Sequence, residues 1–301
     1  CVELDHIYRQ HDSDFVSLLN KVRNNQMDAE CVRTLNPRYQ PGFVPKDNDG
    51  YITLTTHNYQ ADDINNRKLD ELPGKRITFT ADIEGVFPES MYPTRETLEL
   101  KIGAQVMFIK NDPNPEKSYY NGKMGRLTGY DKQYGTLEVT CGDEILTVSR
   151  ICWNNTDYQL NEKTQDVEEA VIGTFTQMPL RLAWAVTIHK SQGLTFDKLI
   201  VDAGQAFAHG QVYVALSRCT SLEGLVLKTL ISSQALVNDY KVDHFVEQMP
   251  EREPSREKVD ALIDKNQQKT IKDYFAEDPG RAERFSLEAA GWFLDYSKNR
   301  I

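Results

Sequence analysis

The stretch Ala183-Trp184-Ala185-Val186-Thr187-Ile188-His189-Lys190-Ser191-Gln192-Gly193-Leu194-Thr195-Phe196-Asp197 decides how the rest of the chain is read. Its first half is apolar, and Thr187, His189, Lys190, Ser191 and Gln192 then crowd together ahead of Gly193. Read locally, residues 182–191 are expected to form a helix that leads into the apolar strand Leu199-Ile200-Val201. A polar cluster at the edge of a sheet is where α/β folds place ligand contacts. The same residues also fit a plain helix end closed by Gly193, with His189 and Lys190 answering the dipole.

Downstream, Gly210-Gln211-Val212-Tyr213-Val214-Ala215-Leu216-Ser217-Arg218-Cys219-Thr220 puts Val212, Ala215 and Leu216 on one helical face and ends in Ser217-Arg218. An arginine there either caps its own helix or reaches across an interface to a phosphate, for which its rigid, permanently charged fork is suited. The strand Gly224-Leu225-Val226-Leu227 follows, and strands alternating with helices imply a parallel sheet.

Upstream, Phe15, Leu18, Leu19 and Val22 recur at helical spacing, residues 36–50 are rich in turn signals, and residues 51–55 read as a strand. The polar segment 62–72 reads as a further helix. Between residues 75 and 153 the texture changes to short alternating segments, such as Gln105-Val106-Met107-Phe108-Ile109 and Thr136-Leu137-Glu138-Val139-Thr140, with Asn121-Gly122 as a tight-turn signal. Several strands at this spacing suggest a small β-barrel of SH3-like size interrupting the α/β unit. The division expected is 1–75 and 179–245 for the α/β lobe, 76–178 for the β-rich insertion, 246–257 for a charged linker and 258–301 for a helical tail. In the tail, Phe285, Ala289, Trp292, Phe293 and Tyr296 make an apolar stripe at helical spacing.

Hydrophobic residues make up 40% of the 301 and charged residues 27%, an ordinary composition for a chain with a core. No apolar run approaches the roughly 20 residues of a membrane helix, and no secretory signal opens the chain. Five cysteines without a CxxC pair argue against a disulfide framework or a zinc ribbon, so a reducing cytoplasm is expected and no metal site. A net charge of −10 argues against coating nucleic acid by bulk attraction, but not against gripping a strand in a local groove. The chain opens at Cys1 directly into patterned sequence and reads as a piece of a longer protein.

Taken together, Thr187-Ile188-His189-Lys190-Ser191-Gln192-Gly193 and Tyr213-Val214-Ala215-Leu216-Ser217-Arg218 resemble motifs V and VI of the superfamily-1 DNA helicases, in particular the RecD/Pif branch. Leu4-Asp5-His6-Ile7-Tyr8-Arg9-Gln10 resembles that branch's motif IV, and Thr55-Thr56-His57-Asn58 with Ile64-Asn65 resembles the motif that follows. Leu100-Lys101-Ile102-Gly103-Ala104-Gln105-Val106-Met107 with Asn121-Gly122 is similar to the branch's SH3-like insertion. The resemblance spans residues 1–245 in the family's order and implies the second RecA-like lobe of a motor.

What it implies follows position by position. Arg218, as an arginine finger, and Arg9 would contact the γ-phosphate of ATP, with Gln10, Gly193 and Tyr213 on the nucleotide side. Thr56, Asn65, Thr187, His189, Lys190 and Gln192 would serve the single-stranded DNA groove. Beside the resemblance, His57 and, in the insertion, Lys123, Arg126 and the pair Tyr119-Tyr120 are further candidate strand contacts, with surface solvation or barrel core the favoured reading of each. A 5′ to 3′ polarity is also implied. No G-x-x-x-x-G-K-[ST] phosphate loop occurs, since Gly74-Lys75-Arg76 and Gly122-Lys123-Met124 both fail the pattern. The phosphate cradle and the Mg2+ carboxylate are therefore expected on an upstream lobe, and no ATPase activity from this piece alone.

The last 40 or so residues resemble something else. Phe275-Ala276-Glu277-Asp278-Pro279-Gly280-Arg281 and Leu294-Asp295-Tyr296-Ser297-Lys298-Asn299-Arg300-Ile301 are similar to the N-terminal segment of glucose-6-phosphate isomerase, stopping short of that enzyme's sugar-phosphate site. Two further readings stand beside the motor lobe: a passive single-strand-binding module, and an isomerase fragment joined to a helicase remnant.

Overall fold

Asp12 starts the first helix, α1 (Ser13–Arg23), by accepting from the backbone N–H of Asp14 at 2.9 Å and of Phe15 at 3.4 Å. Phe15, Leu18, Leu19 and Val22 then fall on one buried face. Asp28 opens α2 (Ala29–Leu35) in the same way, accepting from Cys31 N at 2.9 Å. The structure, a computed structural model, describes residues 9–46, 49–160, 167–202 and 210–231, together with two short strands near the C-terminus. Ile7–Asn238 form one compact unit; Cys1–His6 with Asp239–Ile301 form another.

In the first unit α2 is followed by β1 (Ile52–Thr55), α3 (Asn58–Glu71), β2 (Ile77–Thr80), β3 (Asp82–Gly85), β4 (Thr97–Leu100), β5 (Gln105–Phe108) and β6 (Met124–Asp131). Next come β7 (Thr136–Cys141), β8 (Glu144–Val148), β9 (Ile151–Leu160), β10 (Val167–Gln177), β11 (Leu180–Leu182), β12 (Ala185–Thr187), β13 (Leu199–Asp202), α4 (Gln211–Leu216) and β14 (Leu225–Leu227). A parallel sheet runs in the order β12-β1-β13-β14. Its central strand β1 is buried at all four positions, as a parallel strand covered on both faces should be. Helices α1, α2 and α4 pack their apolar faces into the same core as this sheet.

The β-rich part is antiparallel: a five-stranded sheet β11-β5-β6-β7-β8, a three-stranded sheet β3-β10-β9, and the pair β2-β4. Its strands enclose a second core that includes Phe79, Leu98, Val106, Phe108, Leu127, Leu137 and Val139. Alternation along β5 divides the labour: Val106 and Phe108 face this second core while Met107 faces the first. Among the described residues no helix is long and apolar enough to cross a membrane.

Two expectations are corrected here. Residues 182–191 are not a helix: they comprise the end of β11, the strand β12 and one 3-10 turn at His189–Ser191. The apolar run Ala183–Thr187 lacks a period that separates buried helix from buried strand, and pairing decided the matter. Ala185, Val186 and Thr187 pair with Thr53, Leu54 and Thr55, some 130 residues earlier, and Thr53 N donates to Trp184 O at 2.8 Å. The tail is not helical throughout either. Within the second unit, β15 (Ser286–Ala289) and β16 (Trp292–Asp295) form an antiparallel pair with Ala289 opposite Trp292. Gly291 lies between them in sequence and interrupts a helical stripe, and Trp292-Phe293-Leu294 favours strand. Phe285 and Tyr296, and nearly all of the isomerase-like segment, lie outside the described residues.

Candidate functional site

The turn that ends α4 gathers the charged groups. Ser217 is the C-terminal cap of α4. Arg9 donates through Nη1 to Ser217 O at 3.0 Å and through Nε to Thr195 Oγ1 at 2.9 Å. Gln10, buried beside it, donates through Nε2 to Ser217 O at 3.0 Å and Cys219 O at 2.8 Å. Arg218 folds back on its own helix, with Nε to Val214 O at 3.0 Å and Nη2 to Ser217 Oγ at 3.3 Å. The loop after Gly193 is stitched to the same turn by Phe196 N to Arg218 O at 2.9 Å and Thr220 N to Phe196 O at 3.0 Å.

Arg9 and Arg218, 209 residues apart in sequence, therefore meet at one turn around Ser217. Neither has a carboxylate partner among the described residues; their acceptors are carbonyls and hydroxyls. Burial, and after it the charge of Arg9, pushes the Arg218 guanidinium below its ordinary range. Two like charges held together without a counter-charge make a ready seat for an anion. Cys219 beneath them is a buried thiol pushed up to about 11 and chemically quiet. Tyr213 is half-buried and packs against the larger core.

A second group surrounds the carboxyl end of β12. A cavity of about 400 Å³ is bounded by α3, the loop from Glu89 to Glu96, Arg181 and Leu182 of β11, Thr187 and Lys190. Asn65 is buried in its wall with both amide ends used, Nδ2 donating to Ala185 O at 2.8 Å and Oδ1 accepting from Ala185 N at 2.9 Å. It fixes the edge strand through one amide N–H and the amide oxygen. Thr56 is likewise buried, with Oγ1 2.8 Å from His57 Nδ1 and 3.2 Å from Gln60 Oε1 at the start of α3. Thr187 is buried and accepts from Lys190 N at 3.4 Å.

His189, Lys190, Gln192 and Gly193 are exposed on the 3-10 turn and the residues that follow it. Gly193 stands at φ +81°, a left-handed conformation that a side chain would strain, and so the turn needs a glycine there. The segment 187–195 thus begins at the cavity and ends at Thr195, the partner of Arg9.

The insertion residues divide. Tyr119 is buried and stacks on Phe108 at 4.2 Å between centroids, so it is core rather than a base-stacking platform. Tyr120 is exposed. Lys123 is paired with Glu144 at 3.0 Å, and Arg126 donates to Gly103 O at 2.8 Å. Sequence reading missed Thr195, Ser217 and Arg181. It also missed the seat of Gly122, which has φ +97° and where an added Cβ would lie 2.8 Å from Leu194 Cδ2. No local signal marks Arg181, since a charge between two leucines is ordinary strand alternation.

A parallel sheet with helices packed into its core, interleaved with antiparallel strands, defines a RecA-like fold of the helicase class. No protein-family model matches the chain. The human ATP-dependent DNA helicase PIF1 is 35% identical over 233 residues, which cover 74% of this chain and 34% of the human protein. Pif1 from Bacteroides sp., solved with ADP-AlF4, matches with a TM-score of 0.71 at 36% identity, over 80% of this chain and 55% of that one. The Bacteroides Pif1 helicase solved with ADP-AlF3 and single-stranded DNA matches with a TM-score of 0.61 at 37% identity, over 82% and 56%. The chain is a homologue of the Pif1 superfamily-1 helicases, and it spans about a third of the human relative and just over half of the Bacteroides chains. The matches lend no support to an isomerase reading of the tail.

Proposed function

We propose that this chain is the C-terminal motor lobe of an ATP-dependent DNA helicase that moves 5′ to 3′, comprising a second RecA-like lobe with an SH3-like insertion. Arg218 acts as the arginine finger and Arg9 as its companion on the γ-phosphate, with Gln10 and Gly193 shaping the nucleotide side. The observation that carries this reading is the meeting of Arg9, Gln10 and Arg218 at Ser217 without a carboxylate partner for either arginine among the described residues. Such a pair fits the developing charge on a phosphoryl group, and hydrolysis that removes this charge loosens the grip between lobes. ATP and its Mg2+ are held mainly by an upstream lobe, which supplies the phosphate loop. Thr187, His189, Lys190 and Gln192, with His57 close by, form the face that meets single-stranded DNA.

The test is ATP hydrolysis by the intact parent protein. Arg218→Ala and Arg9→Ala are each expected to lower kcat by on the order of 10³-fold or more, in line with arginine fingers elsewhere, with single-strand binding retained. Near-normal turnover in Arg218→Ala would overturn the assignment. A parent that binds single strands but hydrolyses no ATP would favour a passive binding module.

A further inference from the structure

One cation near the second group has no use in the motor site. Arg181 stands between Leu180 and Leu182 on β11 and lines the cavity under α3. Its Nη2 donates to Pro93 O at 3.2 Å, while its Nε is shut off from solvent and has no partner. Burial pushes this guanidinium below its ordinary range. At the rim, burial and then the charge of Arg181 lower the Lys190 ammonium, with Arg95 adding to the effect and Asp62 opposing it. Arg95 and Asp62 pair with each other at 2.6 Å. Among the described residues no carboxylate lies within 4 Å of Arg181 or Lys190.

Two acidic side chains of the lining, Asp62 and Glu99, are paired with arginines. Glu99 is paired with Arg76. Glu89 and Glu96 flank Tyr92, whose phenol is raised by burial first and then by their charge. The cavity is therefore lined by charges of both signs, with Arg181 and Lys190 as the cations that lack a carboxylate partner among the described residues. A buried guanidinium with an idle N–H is a costly feature unless an anion completes it.

We infer that Arg181 and Lys190 together seat one phosphodiester of single-stranded DNA, at a place separate from the Arg9–Arg218 pair. The inference rests on the motor-lobe reading and adds a residue to its strand-binding face. A guanidinium fork suits the two free oxygens of a phosphodiester. The cavity's volume of about 400 Å³ exceeds that of an inorganic anion and matches pockets that take nucleotide-sized groups. Lys190 lies five residues before Thr195, so a phosphate held here touches the segment that positions Arg9.

The experiment is a salt titration of oligo-dT binding by the intact parent protein, wild type against Arg181→Gln, followed by fluorescence anisotropy. Arg181→Gln is expected to weaken binding about tenfold and to reduce the slope of log K against log salt by about 0.7, the share of one phosphate contact. Arg181→Lys should restore the slope, and the KM for ATP should be unchanged in both. Lys190→Gln, at an exposed position, gives the same slope change if Arg181→Gln fails to fold. Weaker binding with an unchanged slope would mark Arg181 as merely structural and overturn the inference, as would unchanged binding. Thermal stabilisation by inorganic phosphate that Arg181→Gln removes, without any change in DNA slope, would assign the seat to a free anion and also overturn it. A wild-type parent that binds no single strand would overturn the motor-lobe reading itself.

Discussion

The surface of the antiparallel part and the turn around Ser217 treat their cations differently. On the antiparallel surface Lys123 is matched with Glu144, Arg150 with Asp82, and Arg76 with both Asp70 and Glu99. At the Ser217 turn Arg9 and Arg218 make do with carbonyls and hydroxyls, as Arg181 on β11 does with Pro93 O. Surface pairs contribute little to stability, so the matched set is a matter of solvation and local order. Under the proposed reading the unmatched set is explained by the phosphates it receives, in a chain whose overall charge is −10.

That contrast can be broken at its supports. The largest expected effect on stability is at Asn65, whose amide clamps both backbone groups of Ala185. Asn65→Ala should cost about 2–4 kcal/mol, since two buried backbone groups lose their partners. Urea denaturation measures it, and a loss under 1 kcal/mol would show that the edge strand holds its place without the clamp. Next is the seam between the two parts, where the backbone of Gly122 lies against Leu194. Gly122→Ala must displace a buried leucine and place a side chain at φ +97°, costing about 1–2 kcal/mol. Because Leu194 precedes Thr195, turnover in the intact parent should fall more than single-strand affinity; an equal fall in both would deny the seam any role in positioning Arg9. The smallest effect is expected in the matched set. Lys123→Ala should change stability by less than about 1 kcal/mol and leave turnover unaltered, and a large loss of strand binding there would shift the working face onto the insertion.

The frame of the parallel sheet was legible wherever local pattern and tertiary pairing agree. The spacing of Phe15, Leu18, Leu19 and Val22 announces α1, and Leu199-Ile200-Val201 and Leu225-Val226-Leu227 announce β13 and β14. It failed at β12, where three residues take their conformation from a strand 130 positions away. The long pair β9-β10 was hidden too, because residues such as Asn154, Asn155 and Thr156 carry no clear alternation. At the site, Arg9 and Arg218 came from motif resemblance, and the structure adds that they share one turn. Arg181 was illegible for a physical reason. Leu-Arg-Leu on a strand reads as an ordinary alternation with the arginine in water, and only the covering of α3 and the 89–96 loop makes it buried.

The Asn65 clamp has a consequence beyond its contribution to folding. An exposed strand edge invites another chain to add on by hydrogen bonding, and β12 is the outer strand of its sheet among the described residues. By occupying the outward N–H and C=O of Ala185, a primary amide mimics one residue of a neighbouring strand and leaves an incoming β-segment nothing to dock on at the middle of the edge. Loss of that amide would therefore open a route to strand-mediated self-association, and its first sign would be aggregates that form while the protein is still folded.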